Sequence, residues 1–253
     1  SDDFRNRFME TLLSDDADIA RAMPPSEPGY LTVERSELEN DLLQFFVDRK
    51  SELEIEFVNE LTQKIGRAKT QIFCDTIAHE WSDGRSKRSK GNVLALKRSI
   101  KAYLEATISL NGRMMEVLVD DWIEQRPGAN DIGRSDIFYR RGIVLDELLA
   151  HQVEYIERDF ISSYTLAMSV ADKFSQNVKK NKTGIPAIIS ADCDYFSNRI
   201  LFFAGFIPGF DPKQLEIGII PASRPDTLTY QNTHAGVAEY LVGEHAITGT
   251  EPW

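Results

Sequence analysis

Two aspartates flank a cysteine in Ala191-Asp-Cys-Asp194, directly after the apolar run Ile188-Ile-Ser190. On an extended chain, residues two apart project from the same face, so Asp192 and Asp194 are a candidate pair for one Mg²⁺ or Mn²⁺. Strand ends open onto the crevice at a sheet's edge, where such carboxylates would meet a substrate. The competing reading is that one aspartate caps a helix starting at Tyr195 or Phe196. Cys193 adds a thiol, with His234 as its potential base and Asn232 as the group orienting that base. Flanking carboxylates raise a thiol pKa, which favours an inert, buried cysteine.

Three further groups of residues could do chemistry. Asp75, His79 and Asp83 recur at i, i+4, i+8, and Glu147, His151 and Glu154 at i, i+4, i+7. Each set falls near one helical face, the arrangement from which bundle proteins build metal centres. Neither set has the Glu-x-x-His spacing of di-metal bundles, so a solvated surface pair competes with the metal reading. The Gly84–Gly91 loop carries Arg85, Lys87, Arg88 and Lys90, cations suited to phosphate or nucleic acid. A solvated loop, or one paired with an acidic helix, is the bland alternative. Four phenylalanines in Leu201–Phe210 either pack a core or form an apolar patch for a partner, and packing is favoured.

Positioning these groups requires elements, and proline marks where the elements lie. The ten prolines stand at 24, 25, 28, 127, 186, 208, 212, 221, 225 and 252, which leaves two long proline-free tracts followed by a proline-rich tail. Helices tolerate the tracts and not the tail. Ser36-Glu-Leu-Glu39 has capping-box spacing, and Leu38, Leu42, Phe45, Phe46, Leu53, Phe57, Leu61 and Ile65 form an apolar stripe behind it. A second stripe, from Ile137 through Leu145, Leu149, Ile156, Phe160 and Tyr164 to Val178, predicts another long helix. Val93–Leu110 and Arg113–Gln125 read as shorter helices split by Asn111-Gly112. In the tail, Ile185–Ser190 and Leu215–Ile220 read as strands, and Thr233–Val242 as a short helix.

The fold class expected is therefore mainly α: an antiparallel helical bundle over residues 1–182, with 1–33 as a loosely packed arm. A small Pro/Gly-rich α/β segment, 183–253, would pack on it. The net charge of −11 argues against a duplex-DNA binder working through bulk charge. That charge is uneven: residues 1–60 carry 6 Lys/Arg against 16 Asp/Glu, and residues 61–101 carry 10 against 3, so a local anion site stays open. No phosphate-loop, dinucleotide-fingerprint or nucleophile-elbow motif is present, and no Cys-x-x-Cys. The longest apolar run, Ile200–Ile207, is too short to span a bilayer, and the charged N-terminus predicts no signal peptide. Two cysteines fit a reducing compartment, so a cytoplasmic location is expected.

On these grounds the function expected is a regulatory or interaction protein that binds a protein partner or itself through its helical scaffold. No cofactor is expected beyond a divalent metal at the sites named. The alternative is an enzyme or ligand-binding protein with a metal- or Cys/His-based site in the C-terminal segment. A nucleic-acid accessory factor using the 84–91 loop ranks third.

Overall fold

A computed structural model describes residues 33–81, 103–126, 133–134, 137–146, 152–155, 161–179, 184–212, 215–220, 226–234 and 236–243. Helix α1 (Val33–Ile65) begins three residues before the expected cap at Ser36. It buries Leu42, Phe46, Leu53, Phe57 and Leu61, the stripe that its spacing predicts. A short helix α2 (Arg67–Asp75) follows after Gly66 at φ 87° and runs into a π-helical turn (Thr76–Trp81). Helix α3 (Leu104–Gln125) lies antiparallel to α1. Three contacts fix that direction: Arg49 to Asp121 at 2.9 Å, Trp122 Nε1–H to Asp41 at 3.3 Å, and Arg113 to Glu60.

The Asn111-Gly112 break expected in α3 does not occur. A Cβ at Gly112 would stand 2.2 Å from the Ser197 carbonyl oxygen, so the glycine permits close approach and does not end the helix. The Asn111 amide donates to Thr107 O at 2.9 Å and to Leu201 O at 2.8 Å, tying the helix interior to the sheet beneath.

The helical bundle is overturned by an eight-stranded mixed sheet. Its strands are β1 (Phe138–Leu145), β2 (Gln152–Tyr155), β3 (Ser162–Thr165), β4 (Ile185–Asp192), β5 (Ile200–Phe203), β6 (Glu216–Ile219), β7 (Asp226–His234) and β8 (Val237–Val242). They are ordered β2-β7-β8-β4-β1-β3-β6-β5, and only β4 and β8 run parallel. The stripe read as a second long helix becomes β1, β2 and β3, followed by helix α4 (Met168–Lys179). In β1, Tyr139, Ile143 and Leu145 are buried at a spacing of two or four, a strand period that also satisfies much of a helical template. The expected helix at 233–242 is instead the end of β7 and the whole of β8. The sheet draws strands from both sides of the expected boundary at 182/183.

The two faces of the sheet differ. One carries Tyr139, Ile189, Phe203 and Tyr240 and packs on α1 and α3 in a large aromatic core. There Phe46 meets Phe203 edge-on at 5.1 Å, and Phe57 stacks on Phe206 at 5.8 Å. The Leu201–Phe210 phenylalanines are thus buried. The other face carries Arg140, Gly142 and Ile188 and is covered by α4 through a small cluster, Met168, Ala171, Ile188 and Val237. Gly142 lets α4 sit directly on β1, since a Cβ there would lie 2.0 Å from Ala171 O.

Candidate functional site

On the α4 face, strand register aligns a polar row. Ser190 of β4 pairs with Arg140 of β1, Arg140 with Thr165 of β3, and Thr165 with Glu216 of β6. Four neighbouring strands therefore present Ser, Arg, Thr and Glu on one rung. Adjacent strands lie about 4.8 Å apart, so the Arg140 and Glu216 backbones are separated by about 10 Å. Arg140, Thr165 and Glu216 are all buried, and Ser163 and Ser190 are half-buried.

Arg140, Thr165 and Glu216 each have a hydrogen-bond partner. The Ser163 hydroxyl donates to Glu216 Oε1 at 2.5 Å, a diagonal contact from the next rung. Ser163 pairs with Gly218, which adds no side chain of its own beside the hydroxyl. Phe202 instead lies over Gly218, where a Cβ would meet its ring at 2.2 Å. Thr165 Oγ1 accepts from Ala167 N at 3.0 Å, closing the turn into α4. Arg140 donates to Phe138 O at 3.3 Å and lies 5.4 Å from the Phe138 ring centroid. Burying a guanidinium and a carboxylate is costly even when both are hydrogen-bonded, and packing alone would favour apolar residues at these positions. A buried charged row on a sheet face is therefore a functional-site candidate.

The residues singled out from the sequence do not converge. Asp192 ends β4, and its Oδ1 accepts from Tyr195 N at 2.9 Å, so it closes a turn rather than capping a helix. The chain turns over 193–199, which removes the extended geometry that would have aligned Asp192 with Asp194. Asp194 is exposed and pairs with Arg134 at 3.2 Å, beside Asp120 and Glu116. Those carboxylates, Asp194 first, push the Arg134 pKa up. Cys193 is buried and donates to Arg134 O at 3.2 Å. Burial, then Asp194 and Asp192, push its thiol up to about 12, which opposes a nucleophilic role.

His234 pairs with Val237, at the level of Pro186 on β4, whereas Asp192 lies six residues further along that strand. At about 3.3 Å per residue this places them about 20 Å apart along the sheet, and two strands over. Glu147 and His151 lie outside the described residues, and Glu154 sits in β2, whose side chains are not described. Arg85, Lys87, Arg88 and Lys90 also lie outside them, and so does Asp83. Among the described residues, no three His, Cys, Asp or Glu side chains are grouped so as to hold a metal, and no helix is long and apolar enough to cross a membrane.

Sequence reasoning passed over Arg140, Ser163 and Glu216. One signal was available: Glu216 is a lone acid inside the apolar, β-branched run Leu215-Glu-Ile-Gly-Ile-Ile220, where a strand buried on both faces has no solvent for it.

No family model and no curated protein matches the chain. Among solved structures it is similar to ADP-ribosyltransferase Vis in complex with M6 inhibitor, at 12% identity over 83% of each chain and a TM-score of 0.34. Vis toxin, an ADP-ribosyltransferase from Vibrio splendidus, matches at 13% identity over 70% of this chain and 84% of that one, with a TM-score of 0.28. Exoenzyme S from Pseudomonas aeruginosa, in complex with human 14-3-3 protein beta and bound to Carba-NAD, matches at 14% identity over 77% and 90%, with a TM-score of 0.26. The regulatory helical-scaffold reading loses its premise, because the helices flank a sheet whose other face carries the charged row.

Proposed function

We propose that this chain is an enzyme that breaks the glycosidic bond of a phosphate-bearing nucleotide and transfers its sugar, with NAD as donor and ADP-ribose as the group moved. The observation that carries this reading is the Arg140–Thr165–Glu216 rung, with the Ser163 hydroxyl on the Glu216 carboxylate. A guanidinium is the side chain best matched to a diphosphate, which it binds through paired N–H donors. A fixed carboxylate stabilises the oxocarbenium-like charge that develops when a glycosidic bond breaks. One rung holds both groups about two strand spacings apart, roughly 10 Å between backbones. One sugar ring bridges a 5′-phosphate and its anomeric carbon across such a gap. The solved structures named above are of ADP-ribosyltransferases; their distance from this chain leaves the rung itself as the support.

In this reading Arg140 exchanges its Phe138 carbonyl contact for the donor's phosphate oxygens. The C1′–N bond to nicotinamide breaks heterolytically, and nicotinamide leaves with the bonding pair. Glu216 faces the resulting positive charge on the ribose, and Ser163 keeps the carboxylate turned towards it. An acceptor nucleophile then forms its bond to C1′ and releases its proton to Glu216 or to solvent. The motivation for placing Glu216 at the centre is its burial in the rung and its contact with Ser163.

The test is release of nicotinamide from labelled NAD by the full chain. Glu216→Gln is expected to lower kcat by about 100-fold or more, because the charge opposing the cation is gone while the side-chain shape remains. Arg140→Lys is expected to raise KM for NAD about tenfold, since a point charge replaces a fork. Wild-type protein that leaves NAD intact, or a Glu216→Gln variant as active as wild type, removes the proposal.

A further inference from the structure

Glu216 is preceded by the one non-glycine residue with positive φ among the described residues, Leu215 at φ 45°. For a leucine this left-handed conformation is uncommon and strained. Leu215 is fully buried in the large core on the opposite face of the sheet. Its N–H donates to Pro212 O at 2.8 Å, closing a turn, and the very next residue opens β6. Glu216 O then accepts from Ala204 N at 2.8 Å, so the strand is locked on its β5 side at once. The chain thus passes from turn to paired strand within a single residue.

We infer that Leu215 is a positioning residue: its burial in the aromatic core holds the left-handed backbone that directs Glu216 onto the α4 face, against Ser163 and Thr165. The inference rests on the reading of Glu216 given above. Side chains alternate along a strand, so a slip of one residue would carry Glu216 to the aromatic face and remove it from Ser163. Strain of this kind persists only where the surroundings over-determine it. Here the buried leucine and the two backbone hydrogen bonds on either side supply that constraint.

The discriminating pair of variants is Leu215→Met and Leu215→Val. Both keep an apolar side chain, but a β-branched residue resists positive φ far more than an unbranched one. Kinetically, Leu215→Met should stay within about twofold of wild type, while Leu215→Val loses about tenfold in kcat with KM for NAD within about twofold. Independently of activity, a double-mutant cycle of Ser163→Ala and Glu216→Ala, read by urea unfolding, measures the contact itself. Coupling of about fivefold in the unfolding constant is expected in wild type and in Leu215→Met, and none in Leu215→Val. Equal coupling in the Met and Val backgrounds overturns the inference. Absence of NAD cleavage by wild type removes the function, and the coupling arm still decides the role of Leu215. If Leu215→Val does not fold, Leu215→Gly and Leu215→Ala replace it. The left-handed constraint predicts that Gly is at least as stable as Ala, and the reverse order overturns the inference.

Discussion

Raising the pH from 8 to 10 should destabilise this protein through two buried thiols. Cys74 and Cys193 are both buried, and burial is the leading cause that pushes each from 9.0 up to about 12. The unfolded chain releases these protons near pH 9 while the folded chain retains them. Stability from this source is therefore fully present below pH 9 and is lost as the pH climbs towards 12. At pH 10 each thiol costs on the order of 1 kcal/mol, because the unfolded state gains about one pKa unit of ionisation that the fold denies. Together they remove about 2–3 kcal/mol, a large share of the roughly 5–15 kcal/mol that stabilises a typical domain. Burial raises Tyr139, Tyr103 and Tyr230 in the same direction, so their phenols act with the thiols as the pH climbs further. The assay is urea unfolding at pH 8 and pH 10 for wild type, Cys74→Ala, Cys193→Ala and the double variant. The double variant should lose most of the pH 8-to-10 decline, and each single variant about half. A decline of unchanged size in the double variant would refute the reasoning, and so would rapid reaction of native Cys193 with a thiol reagent at pH 8.

Two mutations probe the scaffold under the charged row, alongside the Glu216, Arg140 and Leu215 variants above. Gly142→Ala drives a Cβ to 2.0 Å from Ala171 O, so α4 must lift from β1; a loss of about 2–3 kcal/mol is expected by chemical denaturation. Lys50 donates to Ala204 O and Ile207 O, both at 3.1 Å, and pairs with Glu54 at 2.5 Å. Lys50→Ala strands the two carbonyls where α1 meets the 204–207 turn, and a loss of about 2 kcal/mol is expected. An unfolding midpoint within error of wild type in either case would show that the contact contributes nothing.

What was legible in the sequence was local. The α1 stripe is repeated strictly enough that its buried face follows from spacing alone, and two tail strands follow from β-branched runs between Gly and Pro. The 137–178 tract was misread because apolar residues spaced two, four and seven apart satisfy both periods. Gly112 reads as a helix break and is instead a close-contact position, as is Gly142, which only the partner backbones reveal. The Asp-Cys-Asp string drew attention because its residues are adjacent in sequence. Adjacent residues at a strand end are also what a tight turn uses, and Asp192 serves that turn.

The candidate site illustrates the opposite case. Arg140, Ser163 and Glu216 are 23 and 53 positions apart, and no spacing rule links them. By itself, the sequence determined the helical face of α1, the strand character of the tail and the shortage of motif-borne chemistry. It also determined an uneven charge that the net value of −11 conceals. Tertiary structure alone decided that β1, β3 and β6 lie side by side, and in which register. The physical reason is that strand pairing satisfies backbone groups without regard to side-chain identity. Which side chains share a rung is then settled by the core packed on the opposite face, where Leu215, Ile217 and Tyr139 are buried.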